Sequence, residues 1–223
     1  ADTVGYVYVS ESFLEKPEHE KCLQGYRYEV VSDAVFREIS DTQTPQGILA
    51  IVRMPKYDLP DLLQGDHTHL LILESVQDPG NLGTMVRTGE GAGITGIIKK
   101  KTTVDLFNPK TIRSTMGSIY RVPYLITEHL PDLLDELHKE NIRLYAAHLK
   151  GDTYYDAFDF TGACGFLIGN EGNGLSDEIA ECADCYLKIP MEGKVESLNA
   201  AVSAALLMYE CKRQRGEHNE NMV

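Results

Sequence analysis

The sequence predicts an α/β protein with a mainly parallel sheet and helices on both faces, preceded by a small N-terminal α/β unit. From His69 onward, short apolar runs alternate with segments of helical periodicity, which is typical of parallel βαβ architecture. In such sheets, ligands bind beyond the carboxyl ends of the strands. Three segments rich in Gly and Asn follow apolar runs at that place: QDPGNLGTMVRTGEGAG (77–93), GNEGNGLS (169–176) and IPMEGKVESLN (189–199). The sequence therefore predicts a ligand site built from strand-end turns.

The first 52 residues have the pattern of a small α/β unit. Residues 4–10 and 27–32 alternate like strands, residues 16–23 and 32–39 look like short helices, and residues 44–52 look like a buried strand. We therefore expect a first domain over this part of the chain.

A segment with several Pro and Gly residues and mixed charge, RMPKYDLPDLLQGDH, follows this unit and indicates a linker. We expect an N-terminal domain at 1–55, a linker at 56–67 and a second domain at 68–223. In the second domain, residues 79–83 are expected to form a tight turn, with a helix beginning at Thr84. The other expected strands and helices are HLLILES, GIIKK, RLYAAHL, GFLIG, CYLKIPM, LPDLLDELHKE, SDEIAEC and LNAAVSAALLMYECKR.

The composition is that of a globular domain with an acidic balance. Apolar residues make up 43% of the chain and charged residues 25%, and the net charge is −13. The apolar runs are too short for a membrane span, and five irregularly spaced cysteines suggest a reducing compartment, which we take to be the cytoplasm.

The net acidity argues against nucleic-acid binding, but the charge is unevenly distributed. The window 99–121 carries a net charge of +5 and the rest of the chain −18. A solvated face and a phosphate-contact surface are both open interpretations of this window. Its basic residues are Lys99, Lys100, Lys101, Lys110, Arg113 and Arg121.

Neither a dinucleotide site nor a metal site is predicted. The glycine patterns lack the G-x-G-x-x-G fingerprint, there is no Walker sequence, and Cys182-x-x-Cys185 has no second pair to complete a zinc site. The strand-end segments each have a structural alternative as well. Arg87 could pair with an acid, Glu171 could support a helix N-terminus, and Ser197 or Asn199 could cap a helix.

Taken together and in this order, the three segments resemble the motifs of the SpoU family, the 2′-O-ribose RNA methyltransferases of the SPOUT class. The resemblance rests on N-x-G-x-x-x-R-T at 81–88, GNEG at 169–172 and IPM…SLN at 189–199, and it covers roughly 69–215. DTQTPQGILAIV is similar to the end of the family's ribosomal protein L30e-like RNA-binding domain, which usually begins earlier, so the resemblance implies an incomplete first domain.

The resemblance implies a C-terminal trefoil knot, a homodimer, S-adenosylmethionine as cofactor and RNA as substrate, with no metal. It implies that Arg87 lies beside the ribose hydroxyl and that Asn81, Glu171, Ser197 and Asn199 position the reacting groups. The basic window becomes the expected phosphate-contact surface. The cofactor would contact Ala147, His148, Gly169, Ile189, Met191 and Leu198.

Two other functions stay open at this point. One is a non-catalytic RNA-binding or assembly protein on the same fold, which would not need to bind the cofactor. The other is a methyltransferase that acts on a base. The Asn81 and Arg87 pair favours a ribose target, and the sequence does not choose between ribosomal and transfer RNA.

Overall fold

The computed structural model describes residues 3–193 and 197–216, and the chain divides into two compact units, Ala1–Lys56 and Tyr57–Val223. The middle of the third Gly- and Asn-containing segment, residues 194–196, lies outside the described residues. Among the described helices, none is long and apolar enough to cross a membrane.

The N-terminal unit is a three-stranded sheet with the order β2-β1-β3, in which β2 runs parallel and β3 antiparallel to β1. Its small core contains Val7 and Val9, which alternate along β1 and so point to one face. The last strand was expected to be buried, and this expectation is wrong because most of its side chains are exposed. The elements are β1 (Val4–Ser10), α1 (Pro17–Cys22), β2 (Tyr28–Val31), α2 (Asp33–Ile39) and β3 (Ile48–Val52).

The second unit is a seven-stranded sheet with the order β6-β5-β4-β9-β7-β10-β8, and its paired strands run parallel. Its strands are β4 (His69–Leu73), β5 (Gly96–Lys100), β6 (Tyr124–Thr127), β7 (Arg143–Ala147), β8 (Thr153–Tyr154), β9 (Cys164–Ile168) and β10 (Cys185–Lys188). Its helices are α3 (Leu59–Leu62), α4 (Pro79–Ala92), α5 (Pro109–Thr115), α6 (Leu130–Lys139), α7 (Asp177–Glu181) and α8 (Ala200–Gln214).

Helices cover both faces of this sheet, as the alternation of apolar runs predicted. The central strand β4 is buried on both sides: Leu71 and Leu73 join a core with α4 and α8, while Leu70 and Ile72 join a core with α6 and α7. A strand that is buried on both faces reads as a continuous apolar run, which is why HLLIL was recognisable in the sequence.

Two expectations about the second unit differ from the structure. One is the linker at 56–67, and the other is the start of the first long helix at Thr84. Residues 59–62 form α3, and Leu62 is fully buried in the core beside Gly96. Helix α4 begins at Pro79 and not at Thr84, because the Asp78 side chain accepts a hydrogen bond from Asn81 N at 2.7 Å and Pro79 occupies the first helical position. The expected tight turn is thus the first turn of α4.

Candidate active site

The three Gly- and Asn-containing segments meet at the carboxyl end of the parallel sheet. They follow β4, β9 and β10, and β4 lies next to β9 at the centre of the strand order. The chain leaves β4 toward β5 on one side, whereas β9 lies on the other. This pair of strands is therefore a topological switch point, where a crevice opens between diverging connections.

A chain of side-chain hydrogen bonds ties the three segments together. Asn81 Nδ2 donates to Glu171 Oε1 at 3.0 Å, and Asn199 Nδ2 donates to Asn81 Oδ1 at 2.9 Å. Asn199 Oδ1 in turn accepts from Ala201 N at 2.8 Å, so this residue also caps α8. An ionised Glu171 can only accept hydrogen bonds, which fixes the orientation of both amides along the chain. These hydrogen bonds join the first segment, through Asn81, to both the second and the third.

Glu171 is the anchor of this link. Its carboxylate also accepts from Gln77 N at 3.0 Å and Asp78 N at 3.1 Å. Partial burial raises the pKa of Glu171, but the hydrogen bonds from Asn81 and the two backbone groups outweigh burial, so the pKa lies below its usual range. An ionised carboxylate with three donors is suited to positioning the start of α4 rather than to carrying protons.

The turn 169–174 is shaped by Asn170, which the sequence analysis did not single out. Asn170 Nδ2 donates to Ser75 O at 2.9 Å, and Asn170 Oδ1 accepts from Gly172 N at 2.9 Å. A Cβ on Gly169 would lie 2.1 Å from Gly174 C, so only glycine permits this close return of the backbone. The only signal in the sequence was the motif GNEG itself.

Glu74 is a second residue that the sequence analysis missed. It is 4% exposed and pairs with Lys100 Nζ at 3.1 Å. Its carboxylate also accepts from Ser176 N and Ser176 Oγ, each at 2.8 Å. Glu74 therefore fixes the start of α7 against the ends of β4 and β5. A charged residue directly after the apolar run LLIL was the signal that could have identified it.

A cavity of about 490 Å³ opens at this end of the sheet, within the usual range for small-molecule sites. All six residues expected to contact a cofactor line it, together with Glu171 and Ser197. Asn81, Arg87 and Asn199 are not among the lining residues. The cofactor residues are Ala147, His148, Gly169, Ile189, Met191 and Leu198.

Arg87 lies on the exposed side of α4. Within residues 3–193 and 197–216 its guanidinium makes no hydrogen bond or ion pair, so the structural alternative of an acid partner finds no support there. Within one chain, Arg87 is therefore not part of the cavity lining.

The basic window does not form one cationic surface. Lys99 is 3% exposed, its ammonium donates to Thr103 O at 2.8 Å and Val104 O at 3.1 Å, and burial lowers its pKa. A buried lysine that is bonded to carbonyl groups cannot contact a phosphate, so the expectation for Lys99 is wrong.

Three further cations of this window are ion-paired. Lys100 is bound to Glu74, Lys101 pairs with Glu128, and Arg121 pairs with Glu90. Lys110 and Arg113, on α5, are exposed and make no ion pair among the described residues.

Among the described residues, no group of three or more His, Cys, Asp or Glu side chains could hold a metal ion. Cys182 and Cys185 are free thiols.

Two family models match the chain over both units. The SpoU rRNA methylase family matches residues 68–209, and a domain described as RNA 2′-O ribose methyltransferase substrate binding matches residues 6–58. Among curated relatives, the 23S rRNA (guanosine(2553)-2′-O)-methyltransferase RlmP of Bacillus subtilis is 36% identical over 188 residues, which cover 84% of this chain and 73% of the relative. The 23S rRNA (guanosine-2′-O-)-methyltransferase RlmB of Xylella fastidiosa is 35% identical, over 74% of this chain and 68% of the relative.

Solved structures agree with the family models. The SpoU methyltransferase AviRb from Streptomyces viridochromogenes, in complex with AdoMet, superposes with a TM-score of 0.87 at 27% identity, over 96% of this chain and 84% of that one. An AdoMet-bound rRNA methyltransferase from Sinorhizobium meliloti superposes with a TM-score of 0.79 at 28% identity, over 95% and 80% of the two chains. The chain therefore belongs to the SpoU rRNA methylase family and is an S-adenosylmethionine-dependent RNA methyltransferase.

Proposed function

We propose that this protein methylates a ribose 2′-hydroxyl in ribosomal or transfer RNA. The observation that carries the proposal is the cavity at the switch point of the sheet, whose three segments are joined through Glu171, Asn81 and Asn199. The names of the relatives RlmP and RlmB, both guanosine 2′-O-methyltransferases, support the choice of a ribose over a base.

The cavity fits S-adenosylmethionine by its chemistry. Ile189, Met191 and Leu198 offer an apolar wall suited to a purine ring, while Ser197 and Lys150 offer polar groups suited to hydroxyl and carboxylate groups. Large ligands of this kind are usually held by mostly apolar walls with a few polar contacts. We propose that the six cofactor residues predicted from the sequence bind it there.

Bound S-adenosylmethionine supplies a methyl group on a sulfonium centre that is already a good leaving group. The chain's own task is to align the ribose oxygen and to stabilise the charge that develops when its proton leaves. Arg87 suits the second task because a guanidinium stays protonated and offers a planar pair of donors. We propose that Arg87 binds the adjacent phosphate and stabilises the developing oxyanion. The proton of the hydroxyl group then passes to that phosphate or to solvent.

Asn81, Glu171 and Asn199 act as positioning residues in this scheme. Their hydrogen bonds fix the first turn of α4, the 169–174 turn and the start of α8 relative to one another. Ser197 lines the cavity, and we assign to it a contact with the ribose or the cofactor.

A homodimer is part of the proposal. Arg87 does not line the cavity of its own chain, and α8 exposes the apolar side chains of Val202, Leu206 and Tyr209 beside a groove that extends to Thr84 of α4. Neighbouring exposed apolar side chains on one helix face are a feature of protein interfaces. A two-fold axis along α8 would cover that surface and could bring Arg87 of each protomer to its partner's cavity.

The RNA-contact surface is narrower than the basic window suggested. Lys110 and Arg113 are its exposed cations without an ion pair to any residue in 3–193 or 197–216, and we propose them as the principal phosphate contacts of α5. Lys100, Lys101 and Arg121 are already neutralised by carboxylates and are secondary candidates.

Three further features complete the proposal: a C-terminal trefoil knot, an L30e-like first domain and action in the cytoplasm. The knot is supported by the superposition on AviRb over 96% of the chain, and the first domain by the substrate-binding match at 6–58. The cytoplasm is supported by five unbridged cysteines.

The test is single-turnover methyl transfer with isotopically labelled cofactor, on RNA from cells that lack the gene, together with calorimetric titration of the cofactor. Arg87→Ala should slow transfer by roughly 10²–10³-fold, as for the loss of one preorganised donor, and leave cofactor affinity unchanged. Arg87→Lys should not restore transfer, because a point charge lacks the planar pair of donors.

Arg27→Ala, an exposed arginine of the N-terminal unit, is the matched control. Cofactor binding should survive a chelator. A wild-type protein that neither binds S-adenosylmethionine nor methylates RNA refutes the function, whereas full activity of Arg87→Ala refutes only the role of Arg87.

A further inference from the structure

A second cavity, of about 500 Å³, lies wholly within the N-terminal unit. The buried side chains of Ser10, Phe13 and Phe36 contribute to its walls. The loop 45–47 closes it: Gly47 has φ of 84°, and a Cβ there would lie 2.7 Å from Ser10 Oγ and 3.0 Å from Phe13 Cβ. This loop belongs to the segment DTQTPQGILAIV of the N-terminal unit, which has no part in the candidate active site of the second unit.

The wall of this cavity is preorganised by stacking and hydrogen bonding. The His19 ring stacks on Phe13 with centroids 4.2 Å apart, and His19 Nδ1 lies 2.8 Å from Phe13 O. Ser10 Oγ accepts from Phe13 N at 3.2 Å. A cavity held in this way keeps its shape before a ligand arrives.

The Asp33 carboxylate lines this cavity, and Ser12 binds one of its two oxygens. Ser12 Oγ donates to Asp33 Oδ1 at 2.6 Å, and Ser12 N approaches the same oxygen at 3.4 Å. Across the described residues no hydrogen bond reaches Oδ2. The Ser12 hydroxyl lowers the pKa of Asp33, so the group is ionised at neutral pH and can only accept.

Two cations line the same cavity as this carboxylate. Lys16 and Arg37 are the lysine and arginine of the cavity lining, and both are exposed. Neither makes a hydrogen bond or an ion pair within the part of the chain that the structure describes. With Asp33 they give the cavity a net charge of about +1, in a protein whose net charge is −13. Unpaired cations at a concave site in an acidic protein favour an anionic ligand.

We propose that this cavity binds one nucleotide of the RNA substrate, with Lys16 and Arg37 on its phosphate and Asp33 Oδ2 accepting from its ribose 2′-hydroxyl. The inference rests on the proposed function for the identity of the ligand as RNA. The 2′-hydroxyl is the group by which a protein distinguishes RNA from DNA, so the cavity gives the N-terminal unit a preference for RNA that does not depend on sequence.

The experiment measures binding of the full chain to a short fluorescein-labelled single-stranded RNA, and to DNA of the same sequence, by anisotropy over a range of salt concentrations. The double variant Lys16→Gln with Arg37→Gln should lose roughly tenfold in affinity for both probes. Its log K against log salt slope should fall by about 1.4, which corresponds to two phosphate contacts on a single strand. Lys21→Gln with Arg27→Gln is the matched control, because these exposed cations belong to the same unit but do not line the cavity.

The second variant tests the carboxylate. Asp33→Ala removes a negative charge, which by itself should favour both probes, yet the ratio of RNA to DNA affinity should fall toward one. Glu38→Ala, an exposed acid of α2 outside the cavity lining, should keep the wild-type ratio. Asp33→Asn, which keeps an acceptor for Ser12, is measured if Asp33→Ala fails to fold.

Cavity variants that bind both probes like their controls, while the wild type still binds cofactor and methylates RNA, overturn this inference and leave the proposed function standing. A wild-type protein that methylates no RNA overturns the proposed function, whereas the probe binding still decides whether the cavity takes a nucleotide. A slope that falls equally in the control pair also overturns the inference.

Discussion

Glu171→Gln is the sharpest structural test of the candidate site. The Glu171 carboxylate accepts three hydrogen bonds, from Gln77 N, Asp78 N and Asn81 Nδ2. A glutamine oxygen in the place of Oε1 would keep two of them in weaker, uncharged form. Its NH₂ group would then face Gln77 N, donor against donor. The variant therefore loses one charge-assisted hydrogen bond outright.

A hydrogen bond to a charged group contributes about 1.5–3 kcal/mol. Glu171 is exposed, and water competes for the freed groups, so we expect a loss of about 1–2 kcal/mol in the free energy of unfolding near neutral pH. The measurement is urea unfolding followed by circular dichroism. Glu178→Gln is the control, because this exposed glutamate of α7 makes no side-chain hydrogen bond among the described residues.

The pH dependence gives this prediction a sign. The folded pKa of Glu171 lies below its ordinary value of 4.5, so the ionised group stabilises the fold fully above that value. This stabilisation is lost as the pH falls through the folded pKa. The difference between wild type and Glu171→Gln should therefore be constant above 4.5 and shrink below it. An equal loss in Glu178→Gln, or a difference that persists in acid, would refute the reasoning.

Three further predictions follow from contacts in the second unit. Glu74→Gln should destabilise the protein by about 2–3 kcal/mol in urea unfolding, because a glutamine oxygen in the place of Oε1 still accepts from Lys100 Nζ and Ser176 Oγ but no longer neutralises the ammonium, and its NH₂ group faces Ser176 N, whereas Glu128→Gln should change little because that ion pair is exposed. If the proposed dimer forms through α8, Leu206→Asp should sediment as a monomer where the wild type sediments as a dimer, and it should lower methyl transfer without changing cofactor affinity per chain; a mass equal to that of the wild type would contradict the proposed interface. Lys110→Gln combined with Arg113→Gln should weaken RNA binding about equally across sequences and lower the salt slope, whereas Lys101→Gln should have a smaller effect because Lys101 is already ion-paired.

The fold of the second unit could be predicted because burial on both faces leaves a plain record in the sequence. The run HLLIL reads as a strand whichever face is considered, and the helix at 130–139 places Leu130, Leu133, Leu134 and Leu137 on one buried side. The cavity was also predictable in outline, since segments that follow the parallel strands of one sheet all lie at the same edge of that sheet.

The sequence contains a helix-start signal at the true beginning of α4, although we expected the helix to begin at Thr84. Asp78 followed by Pro79 is a usual helix start, an N-cap and a first-turn proline. The glycines at positions 80 and 83 favoured a turn instead. Gly83 is needed for another reason: a Cβ there would lie 2.3 Å from Ser114 Cβ, so this glycine permits close packing of α4 on α5. Local propensity alone does not separate these two uses of glycine.

The contacts of Glu74 could not be predicted because they depend on strand register. Leu73 pairs with Lys99 in the parallel ladder of β4 and β5, which places Glu74 beside Lys100 one step further along. Neither the neighbouring strand nor its register is visible in the sequence of β4. Asn170 is similar, since its partner Ser75 O lies 95 positions away along the chain.

The charge pattern shows why a count of cations is a poor guide to an RNA surface. The basic window has six cations, yet Lys99 is bonded to backbone carbonyl groups and three others pair with Glu74, Glu90 and Glu128. Each of those carboxylates lies outside the window, so a net charge taken over consecutive residues cannot register the neutralisation. In an acidic chain, the cations that remain for phosphates are those that the fold leaves without a carboxylate. Among the described residues, the cations that meet this criterion include Arg87, Lys110 and Arg113 in the second unit and Lys16 and Arg37 in the first. This criterion depends on the contacts of each cation in the fold and not on its position in the sequence. It explains how a protein with a net charge of −13 can still bind the phosphates of an RNA backbone at a few defined points.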